Sequence, residues 1–80
     1  MYSERNKKSL EFFVYNVSWL RNHYGIKKKT MAELLGIGVG SLNKIEKGEL
    51  PPRLTVEIIF NIQNYFGIHP KELFERKLGI

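Results

Sequence analysis

Three consecutive lysines, Lys27, Lys28 and Lys29, form the densest charge in this 80-residue chain. A cluster of that kind suits the electrostatic capture of a polyanion, nucleic acid first and an anionic membrane surface second. The wider charge distribution points the same way. The net charge is +5, and the whole excess falls in residues 1–29. There Arg5, Lys7, Lys8, Arg21 and the three lysines face only Glu4 and Glu11, whereas residues 30–80 balance. A charge excess also keeps a protein soluble, so charge alone leaves both explanations open.

Other chemistries find little material. The chain has no cysteine, which excludes disulfides, thiolate metal sites and thiol catalysis. His23 and His69 cannot hold a metal without several carboxylate partners, so neither a metal nor a cofactor is expected. His23 reads as a solvated residue near a helix end, and His69, just before Pro70, as part of a turn. Gly36-Ile37-Gly38-Val39-Gly40 lacks the spacing and the preceding strand of a dinucleotide loop. Asn16-Val17-Ser18 is formally a glycosylation sequon, but it falls inside a helical pattern. No catalytic constellation is present, and the expectation is a protein that is not an enzyme.

The elements that must position the lysines follow from the hydrophobic pattern. The composition, 42% hydrophobic and 26% charged, is ordinary for a soluble globular domain. No apolar run approaches the roughly 20 residues that span a bilayer. The polar opening residues carry both charge signs and do not read as a secretory signal. One cytoplasmic domain over residues 1–80 is expected, with residues 1–8 as a flexible arm. The apolar period is helical nearly throughout. Leu10, Phe13, Val14, Val17, Leu20 and Tyr24 mark a first helix ended by Gly25. Met31, Leu34 and Leu35 mark a second, closed by Gly36, and Leu42 and Ile45 a third, closed by Gly48.

Pro51 and Pro52 then force a loop, after which Thr55 could cap a fourth helix with Glu57 in its first turn. Residues 56–66 are rich enough in Ile, Phe and Tyr to allow a strand. The spacing of Ile59, Ile62 and Phe66 favours a helix, apolar almost all round, of the kind that belongs at the centre of a bundle. Pro70 suits the first position of a last helix carrying Leu73, Phe74 and Leu78. The reading is an all-α, five-helix domain. Its second and third helices are joined only by Gly36-Ile37-Gly38, the signature of a helix-turn-helix over residues 28–46.

Leu20-Arg21, Gly25-Ile26, Ala32, Leu35-Gly36-Ile37 and Ile45-Glu46-Lys47-Gly48 stand at an ungapped spacing that resembles the Cro/C1-type helix-turn-helix family of phage and bacterial repressors. The likeness continues more loosely through Phe66-Gly67-Ile68 and Glu72-Leu73-Phe74, covering about residues 13–74. It implies a fold like that of lambda repressor. It also implies that Ala32 packs where the second and third helices cross, and that Arg21 and Glu46 form a partly buried salt bridge that holds the motif's geometry.

In this class the second helix crosses the phosphate backbone and the start of the third enters the major groove. Lys27, Lys28 and Lys29 oppose the dipole at the start of the second helix, by about 0.3–1 kcal/mol each. A bound phosphate would reverse that sign. Lys28 stands where the family usually places a glutamine on phosphate. Arg53, before the fourth helix, stands where relatives place another backbone contact, and Asn22, late in the first, is a further candidate. Thr30-Met31-Ala32-Glu33 could act as a capping box and start the second helix at Thr30. The family register starts it near Lys28, and that register is preferred here.

Base reading is the departure from the family. The third helix opens Gly38-Val39-Gly40-Ser41, with Gly38 able to cap it, and neither Val39 nor Gly40 can bond a base edge. Val39 could touch a thymine methyl, and Gly40 could let the backbone approach closely. Ser41, Asn43 and Lys44 remain as polar readers, Asn43 suited to adenine and Lys44 to guanine. Modest specificity is expected, aided by DNA shape. The loop over residues 49–54 reads about two residues longer than in relatives, and could pack Leu50 or Leu54 on the core.

Phe12, Tyr15 and Trp19 add a second apolar stripe to the first helix, where the family is usually polar. Exposed, they would ask for a partner, such as a second copy or another protein. The preferred reading has residues 74–80 folding back over them, with dimerisation left to the fifth helix and the tail. The expected function is a DNA-binding transcriptional regulator, a repressor, acting on duplex DNA as a homodimer. The alternative is a protein-interaction module that kept the fold and binds DNA weakly without sequence preference.

Overall fold

The computed structural model describes residues 4–49 and 56–79, with side chains from Lys8 onward. Five helices follow in order: α1 (Glu4–His23), α2 (Lys28–Leu35), α3 (Val39–Glu46), α4 (Val56–Phe66) and α5 (Pro70–Glu75). No strand occurs among the described residues. Helix α1 begins at Glu4, so helical backbone covers residues 4–8, which the sequence reading assigns to an arm. The expected cap Thr55 and the loop residues Leu50 and Leu54 lie outside the described residues.

Four helices stop where a left-handed glycine follows the apolar run: Gly25, Gly36, Gly48 and, after α4, Gly67. At the end of α2, Gly36 adopts φ 76°. Its N–H donates to the Glu33 carbonyl at 3.1 Å, and the Ile37 N–H donates to Ala32 at 2.9 Å. This double bond pattern satisfies carbonyls that the helix end would otherwise leave bare. The same pattern closes α1 through Gly25 and Ile26, and α3 through Gly48 and Glu49. Only a residue without Cβ takes the left-handed conformation freely, which is why these stops are written in the sequence.

Helix α1 packs on α3 and α5, α2 packs on α3 and α4, and α4 also packs on α5, so the core lies between the helices. Phe13, Val17 and Leu20 are fully buried together with Met31, Leu35, Leu42, Ile45, Ile62 and Leu73. Ala32 is buried. Leu10 and Val14 are half-buried. Tyr24 lies beyond the end of α1 and is exposed, so it does not continue the core face.

Helix α4 departs from expectation. It is a helix, but Val56 (78%), Phe60 (61%) and Tyr65 (62%) are exposed. Its inward face is carried by Ile58 and Ile62, with Ile59 and Phe66 half-buried. That face packs on α2 and α5, which leaves the opposite face of α4 toward solvent. Helix α5 is also shorter than its pattern. It ends at Glu75, Arg76 is extended (φ −154°, ψ 162°), and Leu78 is buried from non-helical chain.

That extended tail is held by Asn16, the buried polar residue of the described core. Its Nδ2 donates to the carbonyls of Leu73 (2.8 Å) and Arg76 (2.9 Å), and its Oδ1 accepts from the Leu78 N–H (2.8 Å). One amide thus satisfies three backbone groups that the end of α5 would leave unpaired. The tail covers the aromatic stripe. Phe74 stacks on Phe13 at 5.2 Å, Lys77 Nζ lies 5.1 Å from the centroid of the Tyr15 ring, and Gly79 lies against the Trp19 indole. Phe12, Tyr15 and Trp19 are therefore half-buried within the chain.

Candidate nucleic-acid interface

Helix α2 begins at Lys28, with Lys27 as its N-cap in extended conformation and no side chain bonding its first turn. The Thr30 capping box does not form, because Thr30 already lies inside the helix. The Met31 N–H donates to the Lys27 carbonyl at 2.9 Å, so the helix has started before Thr30 could cap it. The first turn thus holds exposed Lys28 and Lys29, no acidic residue, and backbone N–H groups without a cap. Every electrostatic element at this end is positive.

Helix α3 starts in the same bare way. Gly38 is its N-cap, with φ −80° and ψ 161°, and it carries no acid in its first turn. Val39 is 40% exposed, and Gly40 and Ser41 are exposed. A Cβ added at Gly40 would meet nothing within 4 Å. No neighbour in the chain requires glycine there, although glycine within a helix costs about 0.5–1 kcal/mol relative to alanine. Lys44 is exposed and Asn43 half-buried.

The fold brings two of the expected site residues into direct contact. Lys28 Nζ donates to Asn43 Oδ1 at 2.9 Å, joining the start of α2 to the outer face of α3. The sequence reading treats these two as independent, one on phosphate and one on a base. No spacing rule could have paired residues 15 positions apart across a turn. Asn22 sits exposed in the last turn of α1, and its side chain makes no hydrogen bond to α2 or α3 among the described residues. Arg53 lies outside the described residues.

Behind this face, Arg21 ties three segments together. Its Nη2 lies 2.9 Å and its Nε 3.0 Å from Glu46 Oε1, and its Nη1 donates to the Ile26 carbonyl at 3.4 Å. Ser18 Oγ adds a 3.4 Å bond to the same Glu46 oxygen. The end of α3 is thereby fixed to α1 and to the turn before α2. The pair is mostly buried, with side chains 19% and 12% exposed. Glu46 Oε2 is buried without a partner among the described residues, so the pair acts through one carboxylate oxygen. On the other side, Asn61 of α4 donates to the Leu35 carbonyl at 3.3 Å and braces the end of α2.

Sequence reasoning missed the structural roles of Asn16, Asn61 and His69. Asn16 does carry a signal, a polar residue on the buried face of an apolar helix. His69 caps α5, its Nδ1 accepting from the Lys71 N–H at 3.1 Å.

No described helix is long and apolar enough to cross a membrane. Among the described residues no group of three or more His, Asp and Glu could hold a metal ion. A protein-family model described as helix-turn-helix matches residues 17–73. No curated protein and no solved structure matches the chain.

Proposed function

The chain belongs to the Cro/C1-type helix-turn-helix family of DNA-binding regulators, and from that premise we propose that it is a cytoplasmic repressor that grips duplex DNA as a homodimer. The uncapped, three-lysine start of α2, bonded to α3 through Lys28 and Asn43, carries the reading. A helix start of this composition is poorly arranged for stability alone and well arranged for a phosphate, which meets free N–H groups and ammonium groups together. Lys27, Lys28 and Lys29 take the backbone, with Arg53 and Asn22 as outer contacts. The start of α3 enters the major groove. There Gly40 permits close approach, Val39 meets a thymine methyl, and Ser41, Asn43 and Lys44 bond base edges.

The domain measures 33 × 26 × 20 Å. Two copies side by side can set their α3 helices one duplex turn apart, about 34–36 Å.

Selection from a random duplex library, followed by salt titration of the winner, tests the proposal. Enrichment of a palindrome is expected, with a log–log salt slope that flattens by about 0.9 in Lys29→Ala. Weak binding, equal for all sequences, would favour the interaction module over the repressor. No duplex binding at low salt would overturn the DNA-binding role.

A further inference from the structure

Lys28 and Asn43 act on the groove as one unit, and the geometry points to a reading head for guanine. This rests on the DNA-binding reading above and adds to it a base preference and a second role for Lys28. A lysine ammonium has three donors and no acceptor, so the atom of Asn43 that it meets at 2.9 Å is the amide oxygen. Asn43 alone would offer one acceptor and one donor arm, the pair that fits adenine N6 and N7. With Lys28 bound, one lone pair of that oxygen is taken and the other lies beside the ammonium. An exocyclic amino group brought to it would also face a positive charge within hydrogen-bond reach. Donors remain: the Nδ2 protons of Asn43, which have no partner among the described residues, and the spare protons of Lys28.

The rest of α3 reinforces this bias. Leu42 and Ile45 are buried in the core. Glu46, the carboxylate of α3, is tied to Arg21. Lys44 is a further donor. The Ser41 hydroxyl is the remaining side-chain acceptor of the helix. A surface of donors matches acceptors, and guanine presents two of them, O6 and N7, on its major-groove edge. Adenine and cytosine each present an amino group that this head repels. Lys28 is thus a specificity residue, acting both directly and by fixing the state of Asn43.

The test compares three proteins, wild type, Lys28→Met and Asn43→Ala, in selection from a random duplex library. Both altered side chains lie on the outer face, and thermal melts check that the variants fold. Guanine is expected in the wild-type motif at the position that Asn43→Ala relaxes. Lys28→Met frees Asn43 Oδ1, and the preference at that position should move from guanine to adenine. Replacing that guanine by 7-deazaguanine, which lacks the N7 acceptor, should weaken wild-type binding about fivefold and leave Lys28→Met nearly unaffected.

A Lys28→Met protein that binds every sequence more weakly, with its motif unchanged, would reduce Lys28 to a phosphate contact and overturn the inference. So would a wild-type motif without guanine at that position, or binding without any motif, although DNA binding itself would stand. Absence of duplex binding in all three proteins would remove the underlying DNA-binding role as well.

Discussion

Helices α2 and α3 begin with bare N-termini, whereas α4 and α5 carry Glu57 and Glu72 in their first turns and α5 has His69 as a side-chain cap. One chain therefore treats the same physical problem in two ways. At α4 and α5 the dipole and the unpaired N–H groups meet local acid or a cap, which stabilises the fold. At α2 and α3 they are left open, with lysines added at α2. The back of the molecule shows the opposite care: Asn16 satisfies three backbone groups at once beneath the tail. The difference teaches that the α2–α3 face gives up stability that an anionic ligand would restore, while the α1–α5 side satisfies its polar groups within the chain.

Substitutions separate the two sides by sign, since changes at the back should lower stability and binding together. The largest effect is expected from Asn16→Ala, which strands the Leu73 and Arg76 carbonyls and the Leu78 N–H. A loss of about 3 kcal/mol in denaturant unfolding is expected. A variant within about 0.5 kcal/mol of wild type would show that the tail needs no such anchor. Arg21→Met should lose about 2 kcal/mol by leaving Glu46 in a mostly buried site without its cation. The double change Arg21→Met/Glu46→Leu should recover much of that loss, and a double-mutant cycle measures the coupling.

Gly79→Ala sets a Cβ into the Trp19 indole at a backbone φ of +82°. It should cost about 1 kcal/mol. Trp19 is the chain's single tryptophan, so its fluorescence should shift as the tail lifts.

On the α2–α3 face the sign should reverse. Gly40→Ala, which meets open space, should stabilise by about 0.5 kcal/mol and still weaken duplex binding by blocking close approach. Lys29→Glu should stabilise α2 by a smaller increment, a few tenths of a kcal/mol, while binding falls and becomes less salt-dependent. If Gly40→Ala left affinity unchanged, the open space around it would have no function in binding, and the contrast between the two faces would weaken.

Much of the fold was legible along the chain. Gly25, Gly36, Gly48 and Gly67 stop four helices because left-handed backbone demands them, and a stop is a local event. The spacing of Leu42 and Ile45, or of Phe13, Val17 and Leu20, names a buried face for the same reason. Helix α4 shows the limit: its composition suggests a central helix, yet Phe60 and Tyr65 face outward. Hydrophobicity ranks segments for burial, but only packing decides which side chains of a helix find neighbours. The candidate site divides likewise. The lysines and the bare opening of α3 could be read directly, being properties of residue type at a helix start.

The sequence by itself determined the helices, their glycine stops, the helix-turn-helix spacing and the concentration of positive charge at one end of it, since each depends on residues within about one or two helical turns. The tertiary structure alone decided that α4 turns Phe60 and Tyr65 outward, that Asn16 anchors the tail over the aromatic stripe, and that Lys28 bonds Asn43. The last two outcomes join residues 15 to 62 positions apart. A hydrogen bond across such a distance has no periodicity to announce it, and exists only once the intervening turns have placed its two atoms within reach.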